Sequence, residues 1–355
     1  MTSFSWPSPR VWADSVRESF RGPWPGARPL TEDDAKRYYL AGRDDDISLF
    51  SEGVDLSNVT HLLGETGVGK TSLLYAGIIP YLRSQGYVIA TCRDWNKSAA
   101  QDFDEYLATA LYESLPEETQ PEFSSNTDIF WEFADLAHQS GRAFIVLDQF
   151  EELLRRDRHS HELVFGFLQD AIAAGVVVVL SYRSEYKYLM EPLDHRVQRK
   201  KYIEVKPISD SAVREIIEHP RRPEDATPNW TFTDVVSPEA VDNISTIVEV
   251  ARGVTTGTFS TIGLLHVQAL LYVLWMRAIG DAADSQPPRI TGETLDGFLQ
   301  DAVQAGNDGP VSQLNYALEE SATIRLAASS KAAADLMDEY MIRGISETAA
   351  RIVPH

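Results

Sequence analysis

Apolar residues in this chain cluster in short continuous runs and rarely alternate with polar ones. Five such runs are VTHLLG at 59–64, YVIATC at 87–92, AFIVLD at 143–148, GVVVVLSYR at 175–183 and KYIEVK at 201–206. Unbroken runs of this length predict strands buried on both faces, hence a parallel sheet covered by helices. Stretches with helical spacing separate them, among them TSLLYAGIIPYLRSQ and DFDEYLATALYESL. The alternation predicts an α/β fold with right-handed crossovers. A further helix is expected over TEDDAKRYYLAG at 31–42, where Thr31 can cap and acids fill the first turn. Residues 1–29 hold several tryptophans and prolines with little periodicity, and read as an irregular arm that docks aromatics.

Past residue 206 the strand pattern stops. SDSAVREIIEHP predicts an amphipathic helix beginning after Ser209 or Asp210, and GLLHVQALLYVLWMRAIG a long apolar one ending at Gly280. DAADSQPPR is a linker by composition. The expected organisation is an arm at 1–29, a core at 30–206, a helical region at 207–284 and a further helical region at 285–355. The last helical pattern breaks off at SETAARIVPH without a stop signal, which reads as a chain cut from something longer.

Composition narrows the picture. The 355 residues carry a formal charge of -21, which repels phosphate backbones and anionic lipid, so neither nucleic acid nor a membrane is an expected partner. Cys92 is the single cysteine, so an internal disulfide framework and a cysteine zinc site are both excluded. The N-terminus lacks an apolar core of signal-peptide length, and AIAAGVVVVL at 171–180 is too short to span a bilayer. The expectation is a soluble, cytoplasmic protein. The histidines show no metal-binding spacing. His159 and His161 read as surface residues, His266 as a packed one, and the basic stretch His195–Lys201 as a solvated loop face.

The chemistry begins at HLLGETGVGKTSLLYAG, which fits G-x-x-x-x-G-K-[ST] with Gly64, Gly69, Lys70 and Thr71. It has the context that motif needs, an apolar strand before and a helical pattern after. A turn that wraps polyphosphate must point successive N–H groups inward, in conformations that glycine adopts cheaply. The following helix start favours negative charge. Lys70 can reach the β- and γ-phosphates, and the Thr71 hydroxyl can ligate Mg2+. AFIVLDQFEELL then ends a strand in Asp148, a candidate metal ligand. Glu151 and Glu152 follow, and one of them can polarise the attacking water, with Glu151 the favoured choice. VVVVLSYRSEY ends another strand with Ser181 and Arg183, whose planar fork suits phosphate oxygens.

Taken together, these stretches resemble the STAND-type NTPases, AAA+-related P-loop proteins, and most closely the bacterial novel STAND group. GPWPGARPLTEDDAKRYYLAGRDDDI is similar to that group's entry motif, with Gly42 and Arg43 as its Gly-Arg pair. GETGVGKTSLLYAGIIPYLR resembles its extended phosphate loop, including Ala76, Gly77 and Pro80. VLDQFEELL and LSYRSEY resemble its acidic motif and sensor strand. The resemblance implies an α/β P-loop core, then an all-helical lid, then the start of a winged-helix domain near residue 320. It implies that ATP or ADP is held with Mg2+ by Gly64, Glu65, Thr66, Gly67, Val68, Gly69, Lys70, Thr71 and Ser72. Gly42 and Arg43 would line the adenine, and Pro220 would join from the lid. Leu265 stands where the family's lid helix usually has a proline near the nucleotide, a departure that puts the lid contact in question.

By the same resemblance, the chain would be a slow ATPase switch. It would form a homo-oligomer when activated and drive effector and sensor proteins or domains outside this chain, in bacterial signalling or anti-phage defence. Three other readings stay open. One is an ATP-driven remodeller, with Arg155, Arg156 or Arg158 as an arginine finger. Another is a scaffold that keeps nucleotide without hydrolysis, and the third is a nucleotide kinase.

Overall fold

The computed structural model describes residues 23–36, 38, 40–54, 57–93, 95, 103–114, 133, 135, 143–155, 158–218, 235–255, 263–281 and 288–328. The chain divides into two compact units. One is built from Arg43–Glu65 and Lys70–Lys206, the other from Met1–Gly42, Thr66–Gly69 and Pro207–His355. The α/β unit begins at Arg43 and ends at Lys206. Arg43 Nη1 donates to the Lys206 carbonyl at 2.8 Å and to Asp46 Oδ2 at 2.8 Å, which joins the unit's first and last residues.

The α/β unit carries a five-stranded sheet of β1 (Val59–Gly64), β2 (Val88–Cys92), β3 (Ala143–Leu147), β4 (Val177–Arg183) and β5 (Lys200–Glu204), in the order β2-β3-β4-β1-β5. Every pairing is parallel. The sequence expectation thus holds strand by strand, with ends shifted by at most two residues. In β1 and β3 every residue is buried, as sheet positions covered on both faces must be. Leu107, Leu111, Phe150, Leu168 and Met190 pack into the same core as Ile145, Val178 and Leu180. The register sets Gly64 beside Arg183, and Leu147 beside Leu180. The carboxyl ends of β1, β3 and β4 thus lie side by side, the edge where open α/β sheets bind ligands.

One polar cluster around the buried His61 holds four elements together. His61 of β1 is fully buried. Its Nδ1 is 2.8 Å from the Tyr182 hydroxyl of β4, and its Nε2 is 3.1 Å from Asp194 Oδ1. The ring stacks on Tyr202 of β5 at 4.5 Å, and the Tyr202 hydroxyl donates to Asp194. Burial opposes the charge of Asp194, yet the hydrogen bonds from His61 and Tyr202 keep its carboxyl below the usual range.

The helix expected over 31–42 does not form. The chain makes a 3-10 turn at Asp33–Lys36 instead, and α1 (Asp44–Ser51) starts only after Gly42, which has φ +69. The reason is local. Asp34 is buried and accepts from the Thr31 backbone N–H at 2.7 Å and the Thr31 hydroxyl at 2.9 Å, while Arg28 donates to both its oxygens. Thr31 is spent as a donor to Asp34 and does not cap a helix. A side chain at Gly42 would place its Cβ 2.7 Å from that of Ala212, so close approach fixes glycine there.

The second unit is helical among its described residues: Asp210–Glu218, Pro238–Thr255, Leu264–Asp281, Gly292–Gln304 and Pro310–Ala328. Ser209 caps the first of these by accepting from Ala212 N at 3.2 Å. Trp24, from the segment expected to dock aromatics, is buried against Trp275 with ring centroids 6.3 Å apart, and its Nε1 donates to the Ile216 carbonyl. Leu265 is half-buried against Ala27, Ala269 and Leu318. His266 is buried, accepts from Gly263 N at 3.3 Å, and is pushed down to about 4 by burial. The winged-helix expectation falls mostly beyond residue 328, outside the described residues. Among those residues, no helix is long and apolar enough to cross a membrane.

Candidate functional site

The loop after β1 is built by its glycines. Gly67 has φ +79 and Gly69 φ +99, left-handed values that other residues adopt only with strain. A Cβ on Gly67 would meet nothing within 4 Å, so the requirement there is conformational and not one of space. Glu65, Thr66 and Gly67 are exposed, whereas Val68 and Ser72 are buried and Thr71 is half-buried. A helical turn begins at Lys70, passes through a π segment at Leu74–Ile78, and continues as Ile79–Ser84. Lys70 Nζ donates to the carbonyls of Gly64 at 2.8 Å and Glu65 at 2.9 Å, folding the ammonium back over the loop. Burial pushes Lys70 down to about 8, against the opposing pull of Glu151 and Asp148. An anionic ligand would relieve that penalty.

At the end of β3 the backbone turns sharply. Gln149 has φ 52, the one described non-glycine residue in the left-handed region. The turn is held from both sides. Asp148 N donates to the Cys92 carbonyl at 2.9 Å, Phe150 N to the Ser181 carbonyl at 2.9 Å, and Trp95 Nε1 to the Asp148 carbonyl at 2.7 Å. Asp148 ends up 1% exposed, and neither carboxylate oxygen has a hydrogen-bond partner among the described residues. Arg93 Nε lies 3.8 Å from its Oδ2. The Ser181 hydroxyl is likewise buried without a partner. Buried carboxylate oxygens left this way are an arrangement that a bound cation would satisfy.

The structure separates the two glutamates. Glu151 is 5% exposed, and its Oε1 accepts from Arg183 Nε at 3.2 Å, while its Oε2 has no partner among the described residues. Burial raises its pKa, only partly countered by its own backbone N–H, Lys70 and Arg183. Glu152 faces outward, its side chain 43% exposed and 3.8 Å from Arg155. Lys70, Asp148, Glu151 and Arg183 thus gather at the carboxyl edge of the sheet. Arg43 is buried and committed to Asp46 and Lys206. Pro220, Arg156 and the side chains of Arg158, His159 and His161 lie outside the described residues. Sequence reasoning missed Arg93, Tyr75 and the strained Gln149. Arg93 directly follows β2, the strand beside the one that ends at Asp148, and that placement was the available signal.

The described residues contain no cluster of three or more His, Cys, Asp or Glu able to hold a metal by themselves. That donor set still suits Mg2+, which takes one or two protein oxygens and completes its octahedron with phosphate and water. Asp148 and the Thr71 hydroxyl fit that role.

Known structures share the fold described above. The fold is similar to a Walker-type ATPase of Pyrococcus abyssi, at TM-score 0.51 and 16% identity over 79% of this chain and 76% of that one. The Aeropyrum pernix ORC1 protein, solved in complex with DNA, aligns at TM-score 0.46 and 16% identity over 88% and 83% of the two chains. A search of curated proteins finds no match. The sequence itself matches Novel STAND NTPase 1 (nSTAND1) over residues 23–243, a stretch that contains the glycine loop, Asp148, Glu151 and Arg183. The chain belongs to the novel STAND NTPase family.

Proposed function

We propose that this chain binds ATP with Mg2+, hydrolyses it slowly, and uses the ATP and ADP forms as the two states of a molecular switch. The observation that carries this reading is the pairing of a desolvated Lys70 with buried, unpartnered oxygens on Asp148 and Glu151 at one sheet edge. A pure scaffold has no need of a buried glutamate with raised proton affinity beside a metal carboxylate.

In this reading the backbone N–H groups of Glu65–Gly69 cradle the phosphates, and Lys70 exchanges its contacts with Gly64 and Glu65 for phosphate oxygens. Asp148 and Thr71 would hold the metal, whose positive charge would offset the charge developing on the phosphates. Glu151 accepts the proton of the attacking water through its free Oε2, and burial has already raised its affinity for that proton. Arg183 holds Glu151 through Oε1 and lies where it can turn to the γ-phosphate. Gly42, Arg43 and Pro220 would join the nucleotide-binding residues on the family likeness alone. The preference for ATP, the oligomer formed on activation, the outside effector and sensor, the cytoplasmic setting and the role in bacterial signalling or anti-phage defence follow from the family likeness. Arg155, already beside Glu152, gives no specific support to a remodeller.

Steady-state ATP turnover tests the reading. The wild type is expected to turn over far below the ~10 s⁻¹ of a typical enzyme. Glu151→Gln should lower kcat by about 10²- to 10⁴-fold with ATP still bound, and Glu152→Gln should leave kcat nearly unchanged. Fast turnover without any trigger would favour the remodeller. Equal rates in the wild type and Glu151→Gln would remove Glu151 from the mechanism.

A further inference from the structure

Arg93 stands at the rim of the same edge without a role in the chemistry above. Its Nε is 3.8 Å from Asp148 Oδ2, near enough for strong attraction and too far for a hydrogen bond. Its guanidinium carbon lies 5.8 Å from the ring centroid of Tyr75. The side chain is 37% exposed, so it can swing out into water. Tyr75 belongs to the π segment at Leu74–Ile78, a widened turn of the kind that recurs at functional sites. Burial raises the Tyr75 hydroxyl, and the charge of Asp148 raises it further, so the ring stays neutral beneath the guanidinium. Asp148 is thus a buried carboxylate with no hydrogen-bond donor among the described residues, and the partly exposed Arg93 lies at its mouth.

We propose that Arg93, resting on Tyr75, competes with the divalent cation for Asp148 and thereby sets the metal affinity of the site. A guanidinium and a divalent ion cannot share one carboxylate at close range without repelling each other. The ion must displace Arg93, and the Tyr75 face gives Arg93 a place from which to return. The weaker the metal, the more its retention depends on a nucleotide that brings further oxygens. Arg93 therefore links metal occupancy to nucleotide occupancy. The inference rests on the reading of Asp148 as a metal ligand.

The test is a Mn2+ titration of the full chain, followed by the electron paramagnetic resonance signal of free Mn2+, run with and without ADP. Arg93→Met keeps the stem on Tyr75 and removes the charge, and should tighten Mn2+ by about two- to tenfold, the range of a partly exposed charge pair. Arg93→Lys retains the charge and should stay within about twofold of the wild type. Thermal melts verify folding, and Arg93→Gln replaces Arg93→Met if the latter does not fold. Equal or weaker Mn2+ binding in the neutral variant overturns the proposal, as does equal tightening by the Lys and Met variants. A wild-type chain that never binds ADP would defeat the functional reading, while the titration on the metal alone would still read the effect of Arg93.

Discussion

A lysine pushed down to about 8 by burial binds phosphate strongly only while it holds its proton. Nucleotide anions favour the charged form, so binding raises the proton affinity of Lys70. Affinity is therefore full below pH 8 and falls above it, by about tenfold between pH 7 and pH 9. Lys70→Ala should bind weakly at every pH and lose that slope, which nucleotide titrations across pH would read. His266 works in the opposite range. Its folded value, about 4, lies below the ordinary 6.5. The unfolded chain thus takes the proton first, and stability is full above pH 6.5 and lost as pH falls towards 4. The loss is about 3 kcal/mol, and His266→Gln should flatten that acid limb in urea melts. At Gln149 the left-handed backbone forbids a β-branched side chain. Gln149→Val should cost about 1–2 kcal/mol and slow hydrolysis, because Asp148 and Glu151 flank it, whereas Gln149→Gly should do neither. No sequence pattern marks that φ. It arises from hydrogen bonds to Cys92, Ser181 and Trp95, partners distant along the chain.

At the scale of elements, the strands were legible because burial on both faces leaves one simple trace, an unbroken apolar run. Val59–Gly64 was read to the residue. Helix starts depend on which partner a side chain finds, and here legibility varied. Ser209 caps as its position suggests, whereas Thr31 was diverted by Asp34, itself claimed by Arg28. The π segment was invisible, since its residues spell an ordinary helix. The cluster around His61 was also unseen, because its members come from β1, β4, β5 and the turn at Glu191–Asp194. It pins these elements to one another. His61→Leu strands the Tyr182 hydroxyl and leaves Asp194 to Tyr202 alone, and should destabilise the chain by about 1–3 kcal/mol. Pairing it with Tyr182→Phe in a double-mutant cycle should give a total well short of additive.

For the whole molecule, Lys70, Asp148, Glu151 and Arg183 were readable, because each ends a buried strand or begins the helix after one, whereas Arg93 was not. Their separation into buried Glu151 and outward Glu152 was not, since both follow the same strand and only the turn at Gln149 divides them. The two-unit organisation is discontinuous, with Met1–Gly42 grouped with the helical residues after Pro207, and a left-to-right reading of composition cannot reveal that. The central claim is that the edge holding Lys70, Asp148 and Glu151 is a nucleotide site. Calorimetric titration of ATP with Mg2+ into the wild type and Lys70→Ala at pH 7 tests it most directly. The account predicts saturable one-to-one binding in the wild type and a loss of at least about 100-fold in the variant, the scale of a buried charge-assisted contact to phosphate. Equal affinity in the two proteins, or no binding in a folded wild type, would contradict it.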